Sequence, residues 1–285
     1  MASVDIERVG EIIREVAEVE ILPRWRNLAS GDISHKSKPG DVVTVADHAA
    51  EVALERRLLD LLPGSTVVGE EMVFADATIL KRLDDEAPVW LLDPIDGTRA
   101  FAEGRPTFDV LVALVQHGVG VAAWIYAPAE LDLYQGESGG GVMRRNPRGE
   151  RAMLRAPHRA GVAELSGICN PRVLRDRGLR NAESALARFR AYAAHDCAGH
   201  NYSRILRAES DFLINFSTQP WDHLPGLTLA EAGGWYAARH DGRRFAALDQ
   251  AGGILVAPSQ QNWTDIHGTL LPFVRMDAAA ADGRR

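Results

Sequence analysis

The chain is short of sulfur, of surplus positive charge and of long apolar runs, and each shortage removes a class of protein. Its 285 residues include only two cysteines, Cys169 and Cys197. Two are too few for a disulfide scaffold and lack the spacing of a zinc site, so a reducing, cytoplasmic setting is expected. Asp and Glu number 39 against 32 Lys and Arg, a net charge of −7. That balance argues against a nucleic-acid partner, which requires a basic face. No apolar run approaches the ~20 residues of a membrane span, so no membrane partner is expected. Residues 1–20 carry acids throughout and no apolar core, so they do not read as a signal peptide.

What is present is an ordinary globular composition, 46% hydrophobic and 25% charged. Val9, Ile12, Ile13, Val16 and Val19 recur at helical spacing and predict a helix from residue 4 into the mid-twenties. A second helix is expected over residues 44–62, stopped by Pro63-Gly64. Strands are expected at 66–69, 89–92, 108–117, 121–127, 131–135 and 141–145, which suggests a large antiparallel sheet. The polar stretch 144–157 is the candidate boundary between a lobe of residues 1–150 and one of residues 151–285. Beyond it strands (165–169, 191–194, 211–216, 235–238, 254–257) alternate with helices (173–188, 202–209, 223–232, 260–273), the pattern of an α/β lobe. Residues 276–285 are small and charged, so fraying is expected there.

One stretch concentrates the chemistry: residues 90–98 read W-L-L-D-P-I-D-G-T. Pro94 has no N–H and is expected to end the strand. Gly97 permits a tight turn or a close approach to a ligand. Asp93, Asp96, the Ile95 carbonyl and the Thr98 hydroxyl thus converge where the chain leaves a sheet, and hard divalent cations prefer such oxygen donors. The residues alone leave two alternatives, a metal-binding turn or a strand-to-helix junction with Asp96 as its cap. The string closely resembles the D-P-[IL]-D-G-T signature of the inositol monophosphatase-like family, lithium-sensitive phosphatases that depend on magnesium.

Three further segments match that family in order. Gly69-Glu70-Glu71 would otherwise be a solvated acidic strand end, and resembles the family's G-E-E. Lys36 with Asp41-Val42-Val43-Thr44-Val45-Ala46-Asp47 resembles K-x(4)-D-x-V-T-x-x-D, although Thr44 and Asp47 also stand at capping-box spacing. Trp221-Asp222-His223-Leu224-Pro225-Gly226, followed by Glu231-Ala232-Gly233-Gly234, resembles W-D-x-x-[AP]-G with its downstream E-A-G-G. Alone, Asp222 would read as a helix cap.

The resemblance implies a layered α-β-α-β-α sandwich and two or three Mg²⁺ ions per site, held by Glu70, Asp93, the Ile95 carbonyl, Asp96 and Asp222. Glu71 is a neighbour in this reading. Asp47 hydrogen-bonds Thr98, which with Glu70 orients the attacking water; Gly97 and Thr98 open a helix whose N–H groups cradle phosphate. A homodimer acting on a small phosphorylated metabolite is implied, nominally inositol monophosphate. Alternatives are a 3′(2′),5′-bisphosphate nucleotidase, a sugar bisphosphatase, a histidinol phosphatase, or a phosphate-binding homologue without catalysis.

The chain departs from the family where the alcohol is recognised. Asp196-Cys197-Ala198-Gly199-His200-Asn201 stands in place of a G-[ST]-A-A-type turn, and Asn215 in place of a Glu that contacts a ring hydroxyl. Asn215, Ala198 and His200 are therefore the candidate substrate contacts. His195, His200 and His223 show no zinc spacing, and Cys169 and Cys197 read as core residues without the setting of an activated thiol.

Overall fold

The computed structural model of the chain describes residues 4–36, 42–248 and 252–271. Helix α1 (Ile6–Val16) runs on through a π-helical turn at Ala17–Ile21. A short antiparallel pair, β1 (Ile33–His35) and β2 (Val42–Thr44), leads into α2 (Val45–Leu61). Then come β3 (Thr66–Gly69), α3 (Glu70–Ala75), β4 (Val89–Asp96) and α4 (Thr98–Ala102). A meander follows: β5 (Asp109–Gln116), β6 (Val119–Ala127), β7 (Asp132–Glu137), β8 (Gly141–Arg145) and β9 (Arg151–Leu154). The later half comprises β10 (Ser166–Ile168), α5 (Pro171–Asp176), α6 (Ala182–Leu186), β11 (Ala191–Ala193), α7 (Ala198–Leu206) and β12 (Phe212–Asn215). It closes with α8 (Pro220–Ala232), β13 (Tyr236–Arg239), β14 (Ile254–Ala257) and α9 (Gln260–Leu270).

Strands β3 to β9 form one sheet in chain order, antiparallel except where β3 lies parallel to β4. A second, mixed sheet has the order β11-β10-β12-β14-β13. Side-chain alternation sorts the strands into layers. Trp90 and Leu92 of β4, with Val110, Val112 and Leu114 of β5, pack against α1 and α2. Their neighbours Val89, Leu91, Leu111, Ala113 and Val115 pack the other way, with Tyr202 of α7 and Leu224 and Leu227 of α8. Leu213, Ile254 and Val256 close that middle layer from the second sheet, while Phe212, Ile214 and Leu255 face Leu174 of α5 and Ile266 of α9. Five layers result, α-β-α-β-α, as the resemblance implies. Strands buried on both faces need not alternate polar with apolar, which explains the continuous hydrophobic runs of β4 and β5.

Several expected boundaries move. Strand β4 does not stop at Pro94; it reaches Asp96 through a register shift against β5 between Asp93 and Asp96. The helix expected over 173–188 is two short helices, broken where Gly178 takes φ +114°. Helix α7 starts four residues earlier than expected, at Ala198. Gln219 is the N-cap of α8, so Asp222 lies inside its first turn and is not the cap. Asp41 and residues 276–285 lie outside the described residues.

The middle layer is tight enough to require glycine. A Cβ at Gly226 of α8 would meet the Tyr202 ring at 2.1 Å. Alanine gains about 1 kcal/mol in helix propensity over glycine, but overpacking costs about 1–3 kcal/mol, and a wedged ring lies at the upper end. Gly226→Ala should therefore lower the urea unfolding midpoint with an unchanged m-value; a raised midpoint would show that α7 and α8 part freely.

Candidate active site

The register shift in β4 decides where its carboxylates point. In a regular strand Asp93 and Asp96, an odd number of residues apart, would face opposite sides of the sheet. Here Asp93 pairs with Leu111 and Asp96 with Asp109, so β4 spends one residue more than β5. Such a bulge returns both carboxylates to one face. Pro94, which cannot donate to the ladder, falls inside it, and Ile95 turns its side chain toward α2. The Ile95 N–H bonds Asp93 Oδ1 at 3.1 Å.

Asp222, from the first turn of α8, meets them there. Asp93, Asp96 and Asp222 each offer a carboxylate oxygen, and the three lie within 4.8 Å of one another. Strand β3, parallel to β4 with Gly69 opposite Leu92, delivers Glu70 to the same end of the sheet. Lys36 Nζ, its side chain only 3% exposed, lies 2.6 Å from both Glu70 Oε1 and Glu71 Oε1. Behind them Glu51 of α2 accepts the Glu71 and Met72 N–H groups, each at 3.0 Å. A Cβ at Gly69 would collide with that carboxylate, which accounts for the glycine.

Thr44 and Asp47 satisfy both of their sequence readings. Thr44 N and Oγ1 donate to Asp47 Oδ2 at 2.8 and 2.6 Å, closing a capping box, while Thr98 Oγ1 lies 3.1 Å from Asp47 Oδ1. The same hydroxyl lies 2.9 Å from the Ile95 carbonyl; with one proton, it donates to one of the two. Gly97, in the left-handed region at φ +86°, makes the turn into α4.

Helix α7 closes the far side. The Gly199 N–H donates to Asp96 Oδ2 at 2.5 Å, and the Ala198 N–H also bonds Asp96. Cys197 Sγ donates to Asp109 Oδ2 at 3.2 Å, so the half-buried thiol is engaged with a carboxylate and is not a plain core residue. Of the candidate substrate contacts, Ala198 is thus at Asp96, His200 lies half-buried on the same turn, and Asn215 is buried at the end of β12. Reading for acids at strand ends misses Asp109 and Glu51. Asp109 is a lone charge inside an apolar strand run, and Glu51 lies one helical turn after Asp47; those two patterns were the available signals.

Burial sets the electrostatics, with like charge adding to it. Burial first, then Glu70, Asp96 and Asp222, hold the Asp93 carboxyl well above the ordinary range. Asp222 is held up by burial and then by Asp96 and Glu70. Asp96 is pushed up to about 6 by burial, opposed by the Gly199 N–H. Burial pushes Asp47 and Glu51 up to about 7. Carboxylates that disfavour one another's charge suit a cation, and oxygen-only donors suit a hard one. Asp93, Asp96 and Asp222 therefore fit Mg²⁺ by the chemistry of the set.

A model described as the inositol monophosphatase family matches residues 3–272. The chain belongs to the inositol monophosphatase family. It is 27% identical to an inositol-1-monophosphatase of Bacillus subtilis over 232 residues, 80% of this chain and 83% of that one. It is 26% identical to a fructose-1,6-bisphosphatase/inositol-1-monophosphatase of Thermotoga maritima over 84% of this chain and 86% of the other. The solved IMPase of Thermotoga maritima shares the fold with a TM-score of 0.75 at 20% identity, covering 93% of this chain and 95% of that one. These relatives support a phosphatase whose substrates are phosphorylated small molecules. Among the described residues no helix is long and apolar enough to cross a membrane.

Raised carboxyls link stability to pH. Asp47 and Glu51, near 7 when folded, keep protons that the unfolded chain has released, so their stabilisation is lost as pH rises through 7. The buried His223 and His240, lowered to about 4, act oppositely but only below their ordinary value. Between pH 6.5 and 8 the carboxyls therefore dominate. In chelator, the melting temperature should fall across that interval, and added Mg²⁺ should flatten the fall. A rise in chelator would contradict the assignment.

Proposed function

We propose that this family member is a Mg²⁺-dependent phosphomonoesterase that hydrolyses a small polyol or sugar phosphate. The observation that carries the reading is the convergence of Asp93, Asp96 and Asp222, beside Glu70 and the Thr98–Asp47 hydrogen bond, at one end of the large sheet. In this reading Glu70, Asp93, the Ile95 carbonyl, Asp96 and Asp222 hold the metal. Mg²⁺ bound there would supply Lewis-acid chemistry: a lowered pKa for bound water and charge stabilisation for the leaving oxygen.

The protein's own groups do the rest. Asp47 accepts the hydrogen bond of the Thr98 hydroxyl, which leaves a Thr98 lone pair for a water hydrogen and frees the Ile95 carbonyl. Glu70, at the start of α3 beside the end of β4, holds the same water from its other side. Helix α4 spans only Thr98–Ala102, so its dipole is small. Phosphate is then gripped by individual N–H groups at Gly97 and Thr98. Holding water and phosphoryl group in line is an entropic contribution that needs no nucleophilic side chain. The intact Thr98–Asp47 bond favours an enzyme over a mere phosphate-binding protein, since binding gains little from an oriented water. A Thermotoga maritima relative named for fructose-1,6-bisphosphatase as well as inositol-1-monophosphatase keeps sugar bisphosphates in view.

Asp93→Asn keeps the shape and removes the charge between the other carboxylates. Turnover should fall by more than the ~10–100-fold typical of losing a group behind a metal ligand, with an unchanged circular dichroism spectrum. Parent-like kcat in a folded Asp93→Asn protein would overturn the metal reading.

Asn215 tests the substrate. Hydrogen bonds to a charged acceptor exceed neutral ones by about 1 kcal/mol, about fivefold in kcat/KM. Asn215→Glu should raise kcat/KM for myo-inositol 1-phosphate by that factor, and the parent should prefer another ester in a metabolite panel read by released phosphate. If inositol phosphate is the parent's best substrate and the substitution changes nothing, Asn215 does not face the alcohol.

A further inference from the structure

Asp109 has no role in the reading above. Strand β5 is apolar apart from this residue and the terminal Gln116, and Asp109 is 1% exposed. Burying a carboxylate is costly unless it is paired and hydrogen-bonded. One of its oxygens, Oδ2, takes the Cys197 S–H at 3.2 Å. The other, Oδ1, is buried with no hydrogen-bond partner among the described residues. Adding a proton to the carboxyl does not cure this, because Oδ1 has neither a donor nor an acceptor within reach.

The chain is drawn unusually close around this point. A Cβ at Gly199 would meet Asp109 Cβ at 2.7 Å, and one at Gly97 would meet Cys197 Cβ at 3.0 Å. Across the β4–β5 ladder Asp109 stands opposite Asp96. Asp96, Asp109 and Cys197 each present one donor atom, and these atoms lie within 4.8 Å of one another. Donors around a tetrahedral zinc bound at 2.0–2.3 Å are about 3.5 Å apart, so a small inward movement of side chains fills three of its four positions and leaves the fourth to water. The unpartnered Asp109 oxygen is the independent sign that a ligand is missing from this set.

We propose that Asp96, Asp109 and Cys197 form a second cation site, back to back with the Asp93–Asp96–Asp222 centre, for a borderline-soft divalent ion such as Zn²⁺ or Co²⁺. The donor set separates the two sites. Asp93, Asp96 and Asp222 offer oxygen alone, which suits Mg²⁺. A thiolate beside two carboxylates suits a softer ion instead. On binding, the Cys197 proton leaves to solvent and its lone pair goes to the ion. Asp96 is shared, so an ion here draws on the same carboxylate that the oxygen-only centre uses. The inference rests on this geometry and not on which phosphate ester is hydrolysed.

Co²⁺ is the probe, because cobalt thiolates show a near-ultraviolet charge-transfer band that cobalt carboxylates lack. The full chain, held in saturating Mg²⁺, should develop this band on Co²⁺ titration, and Zn²⁺ should bleach it. Cys197→Ser should abolish the band, Asp109→Asn should weaken Co²⁺ binding on the order of ten- to a hundredfold, and Cys169→Ser should leave it intact. A second measurement needs no variant: Zn²⁺ should slow alkylation of Cys197 in the folded parent at least tenfold, read by mass spectrometry. A parent with no band at Co²⁺ saturation, a band that survives Cys197→Ser, or alkylation indifferent to Zn²⁺ would each overturn the site.

Discussion

Like charges buried together at the end of a sheet are the constraint on which this molecule turns. Two unit charges about 4 Å apart near a protein surface repel by about 4 kcal/mol, more than a fully buried Leu side chain returns at about 1.5–3 kcal/mol. Asp93, Asp96 and Asp222 meet at that range. The neighbouring structure answers with donors: Ile95 N–H to Asp93, Gly199 N–H to Asp96, Thr44 to Asp47, and the Lys36 ammonium to Glu70 and Glu71. Strand β4, packed on both faces by Trp90 and Leu92 on one side and Val89 and Leu91 on the other, supplies the rigidity that keeps the carboxylates from parting.

Helix α2 is the ruler of the site. Asp47 and Glu51 are four residues apart and share a buried stripe with Ala50, Leu54 and Leu58. Asp47 reaches Thr98 at the end of β4, and Glu51 reaches the first turn of α3 at the end of β3. One helix face thus sets the separation between the two strand ends that carry Glu70 and Asp93. A capping box and a long-range contact to Thr98 are made by the two oxygens of the same Asp47 carboxylate, which is why the sequence could not divide them.

Layer order and most elements were legible because they depend on local periodicity. The two-sided burial of β4 and β5 shows as unbroken apolar runs, and Pro63-Gly64 ends α2 as punctuation should. What was not legible depends on contacts between distant segments. Pro94 reads as a strand stop, yet a bulge absorbs it, and the ladder with β5 resumes at Asp96. Ala198-Gly199 lies before the helix expected from residue 202, in the segment set against the family's G-[ST]-A-A-type turn. It becomes the first turn of α7 when Asp96, about a hundred residues earlier in the chain, accepts its N–H. Gly178 was a visible break in the 173–188 segment, outweighed by the apolar spacing around it. Asp109 was hidden by its setting, since its partners Asp96 and Cys197 lie on other elements.

That α7 turn also limits which parts of the cluster can change independently. The segment Cys197-Ala198-Gly199 spends its Ala198 and Gly199 N–H groups on Asp96 and its Cys197 thiol on Asp109. Its backbone is therefore tied to a carboxylate of the Asp93–Asp96–Asp222 cluster. A carboxylate that accepts helix N–H groups has less negative charge left for a cation, and a cation that binds it loosens those N–H groups in turn. Residues on this turn consequently cannot change independently of the cluster: any change that moves α7 also changes the field at Asp96. Changing this turn while keeping the carboxylate cluster in place then requires a compensating anchor for α7. Asp109, opposite Asp96 and bonded to Cys197, stands where such an anchor is needed.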